Sequence, residues 1–207
     1  MKAKRWERRK DARASEILEA ALACFAENGF AGTRMEDIAE RARITKGTIY
    51  LYFQSKEDLF KSLARQSIGA QIDTVTAHVN AFEGKSADLL RFVLGTVGQF
   101  VSTSDRVVLP KVLLAEAGKF PELVEFWRRE VIDRGLGLFT AIIRRGIARG
   151  EFRKVAPEHA ARLCVAPMLI IMHWRTTFSR FDETPYDYQG LVQTHLETLL
   201  HGLEQAA

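Results

Sequence analysis

The stretch "TKGTIYLYF", residues 45–53, decides how this chain is read. Ile49, Leu51 and Phe53 alternate with Tyr50 and Tyr52, and β-branched and aromatic residues at period two describe a half-buried strand. The same nine residues also suit a short helix that offers threonines, a lysine and tyrosines to something outside. The flanks choose between them. Thr33 is followed three residues later by Glu36, the pattern of a capping box, and Met35, Ile38, Ala39 and Ala42 then fall on one helical face. Thr45 can cap the next segment, and Ser55, with Asp58 three residues on, opens a longer helix, "KEDLFKSLARQSIGAQIDTVTAHVNAF". Three caps therefore divide residues 33–60 into a helix, a short segment and another helix. A strand at 45–53 would have no neighbour to pair with, and its backbone donors and acceptors would stay unmet. The segment is read as a short helix.

Helical spacing continues in both directions. In "ASEILEAALACFAENGF" Ile17, Leu18, Ala21, Phe25 and Ala26 recur at three- and four-residue steps, and Gly29 after Asn28 marks a stop. Ser86 opens "ADLLRFVLGTVGQFVSTS". A segment from about 106 to 119 carries Pro110 in its first turn, where proline is tolerated. Pro121 opens a helix that stops at Gly150, Pro157 opens another with Pro167 inside it as an expected kink, and "YDYQGLVQTHLETLLHGLE" closes the chain. The expectation is an all-α protein of about nine helices: a three-helix helix-turn-helix head followed by a helical bundle.

Composition bounds the function. With 207 residues, 47% apolar and 27% charged, the chain can bury a substantial core. A net charge of +4 is too small to prove a nucleic-acid partner, but its location is informative. Lys2, Lys4, Arg5, Arg8, Arg9, Lys10 and Arg13 against Glu7 and Asp11 leave the first thirteen residues at +5. No signal-peptide pattern follows that basic start, and the longest apolar run, "CVAPMLIIM", is far too short to span a bilayer, so a cytoplasmic protein is expected. Cys24 and Cys164 read as buried packing residues, with a redox-sensing thiol as the alternative. None of the five histidines has a metal-ligand spacing, and no nucleophile triad, glycine-rich phosphate loop or paired-carboxylate motif is present. No enzyme, cofactor or metal is expected.

Residues 35–54 carry the function. Ile38, Ala42, Ile44, Ile49 and Tyr52 are spaced to build a compact two-helix corner, and Ala39 is small where the second helix must approach. An ordinary helical corner is the bland reading of that spacing. The outward residues argue for more. Thr45, Lys46, Thr48, Tyr50 and Tyr52 set hydroxyl and ammonium donors around one short helix, and Gly47 lets backbone approach a phosphate. Arg34 and Lys56 add cations at the neighbouring helix starts, and the helix N-termini near Thr33, Thr45 and Ser55 offer free N–H groups. The basic N-terminal arm can follow the backbone or enter a minor groove.

At this point "GFAGTRMEDIAERARITKGTIYLYFQSKEDLF", residues 29–60, resembles the DNA-binding signature of the tetracycline-repressor (TetR/AcrR) family of bacterial regulators. The match lies in Gly29-Phe30, Thr33, Ile38-Ala39, Ala42, Ile44, Lys46-Gly47-Thr48, Tyr50, Phe53, Lys56-Glu57 and Leu59, within a specific region from about 15 to 60. One departure is Arg43, where the family usually has glycine; if the turn needs a positive φ, arginine costs about 1 kcal/mol there. The resemblance implies a homodimer whose head, residues 1–54, binds a palindromic double-stranded DNA operator, and whose body, residues 55–207, binds a small organic effector and dimerises. It places Thr45, Lys46, Thr48 and Tyr50 on DNA from the recognition helix and Tyr52 and Lys56 at phosphates. It leaves Phe53, Leu59 and Ile38 to hold the head together. The function it implies is a sequence-specific transcriptional repressor released by that effector. The alternative is a structural or partner-controlled DNA binder without a small-molecule switch.

Two expectations concern the body. Leu191, Val192, His195, Leu196, Leu199, Leu200 and Leu203 make a stripe wider than one core seam needs, and residues 163–172 are apolar nearly all round, so the last two helices suit a dimer face. The bland reading is intrachain core. Phe100, Glu116, Phe120, Phe126, Trp127, Met168, His173, Trp174 and Phe178 are candidate walls of an effector pocket, each with core packing as its alternative. Glu116, among Leu113, Leu114 and Ala117, suits a cationic ligand or an arginine of the same chain.

Overall fold

A computed structural model describes the backbone of residues 2–204 and the side chains of residues 11–204. The cationic arm from Lys2 to Lys10 therefore lies outside the described side chains. The helices are α1 Lys2–Gly32, α2 Met35–Arg41, α3 Lys46–Tyr50, α4 Lys56–Ala64, α5 Ala70–Ala81, α6 Ser86–Thr103, α7 Val108–Ala115, α8 Pro121–Trp127, α9 Arg134–Ala148, α10 Pro157–His173 and α11 Tyr188–Leu203. Single π turns join α4 to α5 and α8 to α9, so the described residues form nine continuous helical rods. Their only β pairing is one isolated bridge between Phe152 and Glu204. The all-α expectation holds, and the stretch 45–53 carries the short helix Lys46–Tyr50 rather than a strand. Among the described residues no helix is long and apolar enough to cross a membrane.

The chain packs as two compact units, Met1–Gly69 with Val108–Arg128, and Ala70–Val107 with Arg129–Ala207. The first is built on an aromatic cluster. Phe30 meets Phe25 at 5.4 Å, Phe60 at 5.8 Å and Phe120 at 4.9 Å between ring centroids, and Phe60 meets Trp127 at 6.1 Å. Ile17, Ala21, Ile38, Ile49 and Leu59 are fully buried around it. Gly29, with φ 70° and ψ 174°, bends α1 just before Phe30, a conformation that side chains on Cβ resist.

The start of α2 differs from the sequence reading. Thr33 does not cap α2. It is buried, and its hydroxyl points back to α1, donating to the Gly29 carbonyl at 2.7 Å with the Cys24 carbonyl at 3.0 Å as a second acceptor. The cap position passes to Arg34, whose backbone N–H donates to Asp37 Oδ2 at 2.8 Å. The other two caps form as expected: Thr45 Oγ1 accepts from the Thr48 N–H, and Ser55 Oγ from the Asp58 N–H, both at 3.2 Å.

In the second unit α6, α9, α10 and α11 share one core of Leu89, Val93, Leu94, Ile143, Cys164, Ile171, Leu196 and Leu200. Gly98 lets α6 and α11 close together, since a Cβ there would stand 2.5 Å from Val192 Cγ1. α6 begins at Ser86 without a local cap, and Glu151 Oε2 accepts its N–H at 2.6 Å from across the fold. Of the α11 stripe, Val192, Leu196, Leu200 and Leu203 are spent on this core, whereas α10 leaves Leu163 (61%), Leu169 (56%) and Ile170 (62%) exposed. α10 continues through Pro167 to His173.

Candidate nucleic-acid interface

α2 and α3 meet through the four residues Ala42, Arg43, Ile44 and Thr45. The Arg43 N–H bonds the Glu40 carbonyl and the Ile44 N–H bonds the Ala39 carbonyl, each at 3.0 Å. Those two bonds are a Schellman motif, which requires a left-handed residue at its centre, and Arg43 supplies it with φ 54°. Ile38, Ala39, Ile49 and Phe53 are buried and fix α3 against the rest of the head, with Ala42, Ile44 and Tyr52 half-buried beside them. α3 is thereby held by one side only.

The other side carries the expected residues. Thr45, Lys46, Gly47 and Tyr50 are exposed, with Thr48 half-buried and its hydroxyl 2.8 Å from that of Thr45. Lys46 Nζ sits 2.5 Å from Glu36 Oε1 and 5.9 Å from the centre of the Tyr50 ring. Its hydrogen bond to Glu36 raises the lysine's pKa and lowers the carboxyl's. A Cβ on Gly47 would meet only Thr45 Oγ1 at 3.8 Å, so no packing demands glycine there. Arg34 is exposed and paired with Asp37, Nη2 to Oδ1 at 3.0 Å. Tyr52 leans on Phe53 at 6.5 Å.

Lys56 is placed differently from a free phosphate ligand. Its Nζ donates to the carbonyls of Phe30 at 2.6 Å, Ala31 at 3.3 Å and Thr33 at 2.8 Å, and lies 4.6 Å from the centre of the Phe30 ring. All three of its N–H donors are engaged, and burial lowers its pKa. The charge of Lys56 is legible in the sequence, but its acceptors are not, because tertiary packing brings it to the carbonyls at the end of α1. Sequence reasoning also missed Leu51, 78% exposed at the end of α3; its position one residue after Tyr50 was the available signal.

The nine expected wall residues fall into separate groups. Glu116, Phe120, Phe126 and Trp127 belong to the first unit, where Glu116 Oε1 accepts the Ala31 N–H at 3.3 Å, Glu116 Oε2 pairs with Lys119 at 3.4 Å, and the aromatics join the cluster described above. In the second unit Met168 is buried in the core and Phe100 packs against it. His173, Trp174 and Phe178 form an exposed aromatic group, with Phe178 5.5 Å from His173 and 5.2 Å from Trp174. A groove of about 470 Å³ runs between α6 and α11, lined by Gly95, Gln99, Asp187, Gln189, Gln193 and Leu196 among others, and by none of the nine. Among the described residues no three histidine, cysteine or carboxylate groups come together as a metal site.

Comparison with known proteins bears on the same elements. Residues 17–63 match the family model for bacterial regulatory proteins of the tetR family, and residues 85–187 match the tetracyclin repressor-like C-terminal domain. The transcriptional regulator YfiR of Bacillus subtilis is 27% identical, with 95% of this chain and 96% of that protein covered. The fatty acid metabolism regulator protein of Bacillus subtilis is 25% identical, with 91% and 94% covered. The crystal structure of the transcriptional regulator FadR from Bacillus subtilis in complex with stearoyl-CoA shares the fold, with a TM-score of 0.74 at 24% identity over 91% of this chain and 98% of that one. These relatives are regulators rather than enzymes. The chain belongs to the tetR family of bacterial regulatory proteins and is a helix-turn-helix transcriptional regulator.

Proposed function

We propose that this regulator is a repressor that holds a palindromic operator as a homodimer and releases it when a small organic effector binds. The observation that carries the DNA half is the row of exposed Thr45, Lys46, Gly47 and Tyr50, with half-buried Thr48 among them, on a helix anchored from its opposite side by Ile49. In this reading α3 enters the major groove, and Arg34, Tyr52 and the basic arm meet the backbone. Lys56 contributes by setting the collar at the end of α1 and reaches a phosphate only by giving up a carbonyl. Functionally the head is residues 1–54 and the body 55–207.

The last two helices form the dimer contact. Support comes from Leu163, Leu169 and Ile170, whose exposed side chains on α10 need cover that α11 does not give them. Phe100, Met168, His173, Trp174 and Phe178 are the wall residues with a place in the second unit, and Glu116, Phe120, Phe126 and Trp127 stand on the side of the head. Acyl-CoA thioesters are the effector class to try first, because one relative is named for fatty acid metabolism and a protein of the same fold was solved with stearoyl-CoA. The regulator acts in the cytoplasm, where both DNA and thioesters are found.

The test uses a duplex selected on the purified protein from random sequence. Stearoyl-CoA, coenzyme A alone and stearate are titrated into the complex while DNA release is followed by fluorescence anisotropy. Release by the thioester, without release by either fragment, is the expected result, since a ligand shifts this equilibrium only through unequal affinity for the two states. DNA that stays bound in all three titrations would remove the thioester and leave the operator reading standing.

A further inference from the structure

Arg43 is the only non-glycine residue with a positive φ among the described residues. The Schellman turn it completes would close without strain on glycine, and with less on asparagine. The arginine side chain gives the fold nothing in return. It is exposed, and it makes no hydrogen bond, ion pair or ring contact with the described residues. Its cationic neighbours are all engaged: Arg34 with Asp37, Arg41 with Glu27, Lys46 with Glu36, and Lys56 with three carbonyls. Among the described side chains of the head, Arg43 is thus a strained and uncommitted guanidinium, two residues before Thr45 on the turn that leads into α3.

We propose that Arg43 is a DNA-phosphate ligand of this regulator, a contact made by the turn between α2 and α3 rather than by the recognition helix. The proposal rests on the DNA-binding reading above. Local strain held at a surface position is expected where the side chain is used by a partner. Guanidinium suits this task because it stays charged and can bond two phosphate oxygens at once. A contact to phosphate positions the head without reading sequence, so its loss should weaken every duplex alike.

Strain and binding move in opposite directions, and this makes the test sharp. Arg43→Gly, Arg43→Asn and Arg43→Lys are compared with the wild type in the full-length protein. Thermal unfolding is measured, together with affinity for a selected duplex and a random duplex across a series of salt concentrations. Arg43→Gly is expected to unfold at a higher temperature than the wild type yet bind both duplexes severalfold more weakly. Its plot of log affinity against log salt should be shallower by about 0.9, one phosphate contact. Arg43→Asn should show the same shallower slope, and Arg43→Lys should keep the wild-type slope. Arg43→Gly binding both duplexes with wild-type affinity and slope would overturn the proposal and leave the DNA reading intact. A loss confined to the selected duplex would assign the arginine to a base edge and overturn the phosphate contact. A wild type that binds neither duplex would overturn the DNA reading and this proposal together.

Discussion

Nζ of Lys46 lies 2.5 Å from Oε1 of Glu36, so the first residue of α3 is ion-paired to α2 across the turn. The lysine must leave this carboxylate to meet a phosphate. Glu36→Gln removes the competitor and one negative charge from the DNA-facing side. Affinity should rise for selected and random duplexes alike, and the salt dependence should steepen by about 0.9 on a log–log plot. Because Lys46 holds the Glu36 carboxyl below its ordinary range, the pair stays intact through neutral pH and is lost only as pH falls through that lowered value. The difference between Glu36→Gln and wild type should therefore persist across the neutral range and close in acid. Binding measured against pH and salt checks both statements.

Gly47 offers a cleaner separation of fold from function. Its backbone conformation is ordinary for any residue, and a methyl group there would find only Thr45 Oγ1 at 3.8 Å. Gly47→Ala should leave stability unchanged or raise it by up to about 1 kcal/mol, the usual helix preference of alanine over glycine. If phosphate or sugar comes up against this backbone, the same methyl must weaken DNA binding. Calorimetry beside a binding titration would show the two effects with opposite signs.

The collar at the end of α1 predicts a stability effect at residues the sequence placed near DNA. Thr33→Val deprives the Cys24 and Gly29 carbonyls of their donor in a buried setting and should cost about 1–3 kcal/mol. Lys56→Ala frees three carbonyls and should likewise lower the unfolding midpoint. Denaturant unfolding measures both. A Lys56→Ala protein of wild-type stability with impaired DNA binding would return this lysine to the phosphate set.

What the sequence made legible follows from the range of the forces involved. Helix positions, the caps at Thr45 and Ser55, and the buried face of α3 depend on neighbours within a turn or two, and the periodicity of Ile38, Ala39 and Ile49 displayed them. Thr33 resembles a cap in sequence, but its buried hydroxyl turns back to the Cys24 and Gly29 carbonyls of α1, a placement set by tertiary packing. The pairing of Lys46 with Glu36 and the engagement of Lys56 are likewise products of tertiary placement. The aromatic residues of the body were the least legible. Phe120 and Phe100 are both aromatic residues among helical apolar neighbours, yet one meets Phe30 edge to face and the other packs against the core of α6, α9, α10 and α11. A glycine in the turn would have hidden Arg43; its departure from the family pattern was visible, and the geometry supplied its meaning.

Thiol chemistry separates packing from sensing. Burial pushes the Cys164 thiol up to about 12, and burial also raises Cys24. Neither should form thiolate at mildly alkaline pH in the folded protein, so iodoacetamide should modify both only after denaturation. Alkylation of either cysteine in the native state would favour a redox-responsive thiol.

Whether α3 reads DNA is tested most directly by the ratio of affinities for a selected palindromic duplex and a random duplex, measured at two salt concentrations for the wild type and for Lys46→Ala/Tyr50→Ala. Wild type is expected to prefer the palindrome strongly at both salts, and the double variant to lose that preference while keeping its helical content and unfolding midpoint. A double variant that discriminates as well as the wild type would show that α3 does not read DNA.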